Sequence, residues 1–548
     1  MILSAESNAV PESNAVPEFN AMSEFSAMPE PIVVVDKLAM LGIPITRLTA
    51  DSRAVRPGDT FVAYPGTQMD GRQFIAQAIQ NGANAVIWEE NNFSWPSDWS
   101  IPNLPIVDLR HHLGAIASHV CGEPSSKLWM IGITGTNGKT SCTHWIAQVL
   151  QALALQYAKG KKTALLGTLG NGFPSQLQPT INTTPDAILL HQLLAEYVAD
   201  GAQAVAMEVS SHALQQGRVN GVQFDVAMLT NLSRDHLDYH CTMRHYAATK
   251  ARLFEWPNLK YAVLNLDDDF GVDLARQLRD KGVEVVGYGL TDDALAMAER
   301  LGVRMVYGGA LQMNAHGLSL QVHSSWGGGT LHSSLVGRFN ASNLLGVLAT
   351  LLVSEVNLQD ALTELSKVKA VAGRMQTLGG GGVPTVVIDY AHTPDALEKV
   401  LQTLREVSTQ DAELAQVGKL ICVFGCGGDR DPGKRPLMGE IAARLADVCI
   451  VTSDNPRRES PQSIIADIVT GMAAADQTNP FEIIEDRKAA ITGAIHSARA
   501  IDTVLVAGKG HEDYQEINGI KHPFSDVQVA QQALQTWPGQ AFQSGGRI

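Results

Sequence analysis

The run Gly135-Thr136-Asn137-Gly138-Lys139-Thr140-Ser141 puts two glycines, a lysine and three hydroxyls between an apolar stretch, Leu128–Ile133, and a helical pattern, Cys142–Leu150. A strand, a glycine loop and a helix N-terminus in that order turn backbone N–H groups toward phosphate oxygens. The lysine falls on the β/γ oxygens and the following hydroxyl on Mg²⁺. The implied chemistry is phosphate binding at an ATP site. The common spacing would put a glycine where Ile133 stands, so the loop is a variant. A ligand-free strand-to-helix turn is the other reading, and the Gly-Lys-Thr triplet argues against it.

Polar clusters follow other predicted strands. Met207-Glu208-Val209-Ser210-Ser211-His212 closes the strand Ala204–Met207, and Glu208 and His212 are spaced to reach one metal ion, although a purely structural pair has the same appearance. Thr230-Asn231-Leu232-Ser233-Arg234-Asp235-His236-Leu237-Asp238-Tyr239-His240 follows the strand Val226–Leu229. Open α/β sheets collect ligands beyond the carboxyl ends of their strands, so two such ends beside a phosphate loop mark a catalytic cleft. Asp454-Asn455-Pro456-Arg457 follows the strand Val448–Thr452, and as local geometry it is an Asx-Pro turn, silent about ligand.

The elements that must carry these residues form an α/β chain of three domains. From Ile32 to about Val120 a helix near Val35–Leu41, strands at Thr60–Tyr64 and Ala85–Trp88 and an alanine-rich helix from Phe74 make a small α/β unit, expected over 31–122. Gly122–Lys127 has linker composition. The central unit, 123–370, alternates the strands already named with Tyr261–Leu264 and Val283–Tyr288 and with helical stretches, giving a P-loop-type, mostly parallel sheet. Antiparallel strands are expected near Leu318–Val322 and Thr330–Leu335 at its end. After Val371 the rhythm restarts with Thr385–Ile388, Leu420–Phe424, Val448–Thr452 and Thr503–Ala507, a Rossmann-like unit over 371–548. Residues 6–29 repeat a hexamer, Glu-Ser-Asn-Ala-Val-Pro and variants of it. So little apolar content with regular prolines cannot offset ordering entropy, so 1–30 is expected to be a disordered tail.

Composition narrows the classes. The 41 basic against 56 acidic residues give a net charge of −15. That argues against a nucleic-acid binder and leaves anionic ligands to local cations and helix N-termini. The six cysteines are scattered, and Cys422 with Cys426 lacks the second pair of a zinc site, so all are expected to be reduced. No run of about 18 apolar residues and no signal-peptide pattern occurs, so a cytoplasmic monomer without membrane insertion, acting on small molecules, is expected.

Read in order, the phosphate loop, Asn182-Thr183-Thr184-Pro185, Glu-Val-Ser-Ser-His (208–212), Asp-His-Leu-Asp-Tyr-His (235–240) and Ala-Thr-Lys-Ala-Arg-Leu-Phe (248–254) resemble the Mur ligase family. So do Gly-Arg-Phe-Asn-Ala-Ser-Asn (337–343), Gly-Arg-Met-Gln (373–376) and Asp-Tyr-Ala-His-Thr-Pro (389–394), and the likeness covers about residue 45 to 520. The resemblance implies an ATP- and Mg²⁺-dependent ligase of peptidoglycan precursor synthesis. A carboxylate is phosphorylated by ATP and the acyl phosphate is attacked by an amine.

By the same resemblance Glu208 and His212 join Thr140 as metal ligands. Asn231, His236, Asn340 and Asn343 lie around the nucleotide, Asp389 lies near its ribose, and Arg374 closes onto it. Lys139, Glu208, His212, His236 and Lys250 form the catalytic set. The family's lysine at position 250 carries CO₂ as a carbamate (N6-carboxylysine) that approaches Mg²⁺; without the resemblance Lys250 reads as an exposed helix lysine.

Asp51-Ser52-Arg53 and Gly66-Thr67-Gln68-Met69-Asp70-Gly71 resemble uridine-nucleotide loops, with Thr67 where the family often has histidine. Asn182, Thr183, Thr184, Ser210, Gln216 and Arg218 resemble contacts to a muramoyl dipeptide. Asp454, Asn455, Pro456 and Arg457, with Arg430, Gly508 and Glu512, resemble the pocket of members that add meso-diaminopimelate to UDP-N-acetylmuramoyl-L-alanyl-D-glutamate. There Arg457 would take the distal carboxylate and Glu512 the distal ammonium, and lysine would leave the guanidinium unpaired. A lysine-adding member, folylpolyglutamate synthetase and a non-catalytic precursor binder are the competing readings. The N-terminal nucleotide motifs argue against the second, and Lys139, Thr140, Glu208, His212 and Lys250 argue against the last.

Overall fold

In the computed structural model the apolar run after Lys127 becomes the strand Trp129–Thr134, at the heart of an 11-stranded sheet. Residues 32–539 are described, except 67–68, 158–160, 315–316, 411–417 and 475–478. The expected repeat tail, Thr67 and Gln68 lie outside the described residues.

The sheet runs Arg304–Asn314, Glu284–Gly289, Tyr261–Asn265, Val226–Leu229, Trp129–Thr134, Ala204–Glu208, Thr163–Gly167, all parallel. Gly317–Ser324 and Gly327–Ser333 extend one end antiparallel, and Gly170–Phe173 and Gln176–Gln178 extend the other. The parallel strands are buried on both faces, which is why they read as continuous Val/Ile/Leu/Ala runs. On one face Trp145, Ile146 and Leu150 of the helix Lys139–Tyr157 pack with Leu344 and Leu348 of Arg338–Val353, an almost wholly buried helix. On the other, Leu190 and Leu194 of Ala187–Ala199 and Leu274 of Asp269–Leu278 close the core.

A four-stranded parallel sheet, Leu48–Thr49, Thr60–Ala63, Ala85–Glu89, Asn103–Ile106, forms the N-terminal unit. The C-terminal six-stranded sheet has the order Gln376–Gly379, Thr385–Asp389, Thr503–Ala507, Leu420–Phe424, Val448–Val451, Phe481–Ile483, parallel except for its first strand. A three-unit α/β architecture with mostly parallel sheets is therefore present.

Two expectations are corrected. Gly122–Lys127 is no free linker: Pro124–Lys127 is a 3₁₀ turn with Pro124 and Ser125 buried, and Ser125 Oγ accepts from Gln223 N at 3.1 Å. The strands Thr163–Gly167, Gly170–Phe173 and Gln176–Gln178 are additions: the first is a short buried apolar run, and the other two are polar or glycine-rich, with little apolar alternation to betray them.

Candidate active site

Parallel register decides which loops meet. Ile133 pairs with Glu208 and Thr134 with Leu229, so the loops after three adjacent strands leave one sheet edge together. Ile133 is a wholly buried strand residue, and the phosphate loop begins only at Gly135, which explains its missing glycine. Gly135 has φ +141°, and a Cβ there would lie 1.9 Å from Thr230 Oγ1, so no other residue allows this approach.

Asn231 holds the loop from the next strand end. Asn137 N donates to Asn231 Oδ1 at 3.0 Å, and Asn231 Nδ2 donates back to Asn137 O at 3.1 Å. Lys139 Nζ donates to the loop's own carbonyls, Gly135 O at 2.8 Å and Thr136 O at 2.9 Å. Burial pushes its ammonium below the ordinary lysine range, against the opposing pull of Glu208.

Glu208 is brought to Thr140: the hydroxyl donates to Glu208 Oε2 at 3.0 Å, and Thr168 N donates to Oε1 at 2.7 Å. Gly167 makes room, since a Cβ there would lie 2.4 Å from Glu208 Oε1. Lys250 is 1% exposed, not an exposed helix lysine. Its Nζ donates to Gly135 O at 2.8 Å, and burial with Lys139 nearby drives the ammonium well below its usual range. His212 sits in a ring cluster, 4.8 Å from His236 and 4.2 Å from Tyr239 between centroids. Burial lowers its pKa to about 4, leaving a neutral imidazole. Burial likewise keeps His236 neutral, although Asp235 opposes it.

Among the described residues no cluster of three or more His, Cys, Asp or Glu is arranged around a metal position. The donor chemistry nevertheless fits a hard divalent cation. A buried carboxylate and a hydroxyl already touch, beside loop N–H groups that would bring phosphate oxygens.

A cavity of about 360 Å³ opens between the sheet edge and the C-terminal unit. Asn137, Gly138, Ser141 and Asn231 line one side, and Asn340 and Asn343 come from the helix Arg338–Val353. Arg374 and Asp389 line the other, while Leu290, Leu335 and Phe339 give it an apolar end suited to a base. Arg374 Nη2 donates to Thr140 Oγ1 at 3.3 Å, with the guanidinium 4.4 Å from the Tyr390 ring centroid. Asp389 Oδ2 accepts from Met375 N at 2.7 Å, so it holds the chain where the C-terminal unit begins; burial raises its carboxyl pKa.

On the opposite flank Thr184 Oγ1 donates to Glu208 O at 2.7 Å and accepts from Ser210 N at 3.2 Å. Arg218 donates to Thr184 O at 3.1 Å and to Gln216 Oε1 at 2.9 Å. Thr183 joins through Thr168 Oγ1 at 3.0 Å, and Asn182 beside it is exposed. Ser52 is not brought to this network: it is buried in its own unit, donating to Gln77 Oε1 at 2.8 Å. Met69 is exposed on the N-terminal unit.

In the C-terminal unit Asp454 and Asn455 are buried at a strand end, with Glu512 across from them. Asn455 Nδ2 donates to Glu512 Oε2 at 2.8 Å. Gly508 is required beside them, because a Cβ there would lie 2.5 Å from Asp454 Oδ2. Pro456 is buried behind Arg457, and Arg430 is exposed at the rim. Arg457 corrects the expectation of an unpaired guanidinium: Nη1 donates to Gly428 O at 2.8 Å and Nε lies 3.4 Å from Glu516. Arg487 and Asp526, paired at 2.7 Å with both side chains fully buried, back the pocket, and Arg487 Nη2 also donates to Ala507 O at 2.9 Å.

The sequence reading passed over several residues that complete these surroundings. Thr168 clamps Glu208 from the turn between the strands Thr163–Gly167 and Gly170–Phe173, a position that no motif of the sequence marks. His392 and Lys434 of the C-terminal unit approach the buried Asp235 to 3.6 and 3.9 Å. Lys509 follows a buried strand between two glycines, a pattern like that of the phosphate loop and available as a signal.

Comparison with known proteins agrees along nearly the whole chain. Residues 44–120 match the model described as Mur ligase family, catalytic domain, 133–351 match the Mur ligase middle domain, and 373–510 match the Mur ligase, glutamate ligase domain. The UDP-N-acetylmuramoyl-L-alanyl-D-glutamate--2,6-diaminopimelate ligase of Chromobacterium violaceum is 52% identical over 91% of this chain and 96% of its own. The protein of the same name from Nitrosomonas europaea is 50% identical over 93% and 96%. A solved structure under that name aligns with TM-score 0.62 at 36% identity, covering 90% of this chain and 95% of the other. MurF from Acinetobacter baumannii, at 18% identity, TM-score 0.61 and coverage of 90% and 94%, shares the fold.

Proposed function

The chain belongs to the Mur ligase family, and on that premise we propose that it uses ATP to join meso-diaminopimelate to UDP-N-acetylmuramoyl-L-alanyl-D-glutamate. The observation that carries this reading is the 52% identity to a diaminopimelate-adding ligase over 91% of the chain.

Amide formation from a carboxylate and an amine in water is uphill, so the carboxylate is activated first. Its oxygen takes the ATP γ-phosphoryl group, the amine attacks the acyl carbon, phosphate leaves and the nitrogen loses a proton. Lys139 exchanges the Gly135 and Thr136 carbonyls for phosphate oxygens, and Arg374 approaches the same phosphates from the C-terminal unit. Thr140, Glu208, His212 and a carbamylated Lys250 would hold Mg²⁺, which would supply charge neutralisation for phosphates and carboxylate. Lys250 suits carbamylation because burial favours the neutral amine, the form that adds CO₂. Neutral His236 and Asn231 border the nucleotide, whose ribose lies toward Asp389 and whose remaining length runs along Asn340 and Asn343.

Thr184, Ser210, Gln216 and Arg218, with Asn182 and Thr183, hold the muramoyl dipeptide. The N-terminal unit takes the uridine end through the loops containing Ser52, Thr67, Gln68 and Met69. Diaminopimelate occupies the pocket of Arg430, Asp454, Asn455, Pro456, Arg457, Gly508 and Glu512. We accordingly assign 31–122 to the nucleotide-sugar substrate, 123–370 to ATP and 371–548 to the amino acid, in a protein acting as a cytoplasmic monomer.

The test is phosphate release by purified protein given ATP, Mg²⁺ and the UDP-muramoyl dipeptide, comparing meso-diaminopimelate with L-lysine. A kcat/KM ratio of about a hundred or more in favour of meso-diaminopimelate is expected. Comparable efficiencies would move the protein to the lysine-adding members, and no release with either would sink the ligase reading.

A further inference from the structure

Lys509 is a lysine with no exposed surface, directly after the strand Thr503–Ala507 and outside the phosphate chemistry. An ammonium withdrawn from water must find anionic or carbonyl partners. Its Nζ lies 2.9 Å from Glu512 Oε2, 3.0 Å from Asn455 Oδ1 and 3.9 Å from Asp454 Oδ1.

We propose that Lys509 is a positioning and specificity-setting residue of the diaminopimelate pocket, a reading that rests on the pocket assignment above. Its ammonium fixes Glu512 and the Asn455 amide in one orientation and supplies the charge that suits the pocket to a zwitterionic terminus rather than a bare ammonium.

The orientation follows from donor and acceptor bookkeeping. An ammonium only donates, so Asn455 must turn its oxygen toward Lys509; the same oxygen also accepts from Glu516 N at 2.9 Å. Asn455 Nδ2 then faces Glu512 and donates to Oε2 at 2.8 Å, the oxygen that Lys509 also occupies. Glu512 Oε1 is left with the Tyr390 hydroxyl at 3.5 Å, a long contact, and is the oxygen offered to an incoming ammonium.

Charge completes the case. Asp454 and Glu512 bring two carboxylates, and Lys509 brings the cation within reach of both, while Arg457 is engaged with Gly428 O and Glu516. Removing Lys509 makes the pocket one charge more negative. That change rewards lysine, whose terminus is an ammonium alone, over meso-diaminopimelate, whose terminus adds a carboxylate.

The experiment is steady-state kinetics on the full-length enzyme. Lys509→Met should raise KM for meso-diaminopimelate about tenfold or more and leave KM for ATP within about twofold. The ratio of kcat/KM for meso-diaminopimelate over L-lysine should fall about tenfold, and Lys509→Arg should restore the ratio partly but not the KM. An unchanged KM for meso-diaminopimelate overturns the proposal. So does a uniform rise in every KM with the ratio intact, which marks a purely structural lysine. Should Lys509→Met fail to fold, Lys509→Gln, which keeps a polar group beside Glu512 while removing the charge, carries the same measurements. Arg457→Ala separates the two levels. If it too leaves KM for meso-diaminopimelate unchanged, the pocket assignment is wrong and this proposal falls with it; if it raises KM while Lys509→Met does not, only the role of Lys509 is overturned.

Discussion

Lys139 and Lys250 donate to one carbonyl, Gly135 O, each at 2.8 Å, so two potential cations share a site that holds one comfortably. The conflict resolves if they differ in chemical state. Lys250, wholly enclosed and beside Lys139, is the one whose ammonium is driven well below its usual range, toward the neutral amine. Lys139→Ala is expected to lower kcat by about a hundredfold or more, since it removes a donor from charge developing on phosphate, while the thermal midpoint stays near that of the parent. Phosphate-release rates and a melting curve check both halves. Lys250→Ala is expected to lose a comparable share of activity and to regain part of it with added formate or acetate. Carbon-13 NMR of active protein equilibrated with labelled CO₂ should show a carbamate; a free amine in the Mg²⁺-bound enzyme would defeat the assignment. At this scale Lys139 was legible from its neighbours, because loop chemistry is local. Lys250 was not: its burial depends on packing between segments 115 residues apart.

Element placement depends on sheet order, which the sequence withholds. Strands such as Val226–Leu229 and Thr503–Ala507 were readable from apolar runs bounded by polar turns. That Trp129–Thr134 lies between Ala204–Glu208 and Val226–Leu229 is a property of the assembled sheet. The helix Ala187–Ala199 shows what such burial costs. His191 has no exposed surface, its Nε2 is 3.1 Å from Asn220 O, and its Nδ1 has no hydrogen-bond partner among the described residues. Burial lowers its pKa from 6.5 to about 4. A base whose folded pKa is depressed contributes stability above its unfolded value and loses it as pH falls. His191 should therefore withdraw up to about 3 kcal/mol between pH 6.5 and 4. His191→Gln, which keeps an amide donor for Asn220 O, should be less stable at pH 7 and show a shallower decline in urea midpoint toward pH 4. An unchanged slope would show that His191 is solvated more than its packing implies.

At the scale of the whole molecule, the order of the three units was legible from composition and rhythm, whereas their meeting was not, because closure is made by pairs far apart in sequence. The cavity that takes Asn137 and Asn231 from one unit and Arg374 and Asp389 from another exists only while those units are together. Besides the contacts of Arg374 with Thr140 and of His392 and Lys434 with Asp235, two further polar links cross the same boundary: Asn137 Nδ2 donates to Asp395 Oδ2 at 3.1 Å, and Arg234 Nε lies 3.1 Å from Asp431 Oδ2. The first ends on the phosphate loop itself, so nucleotide affinity and closure are coupled through Asn137. The second touches no nucleotide-lining residue and is the cleaner probe. Arg234 is 43% exposed and Asp431 9%, so the pair contributes about 0.5–1 kcal/mol rather than the larger energy of a fully enclosed bridge. If the closed arrangement is the one that binds ATP, Asp431→Asn raises KM for ATP by about two- to fivefold, the factor that energy supplies, and leaves the melting temperature of each unit nearly unchanged. Small-angle scattering should show the variant more extended than the parent without ATP, and the two converging at saturating nucleotide. Raising salt should weaken ATP binding more in the parent than in Asp431→Asn, because only the parent has this exposed pair to screen. Equal salt sensitivity with an unchanged KM would mean that the Arg234–Asp431 bridge is incidental and that closure is carried by the nucleotide and the remaining contacts between the units.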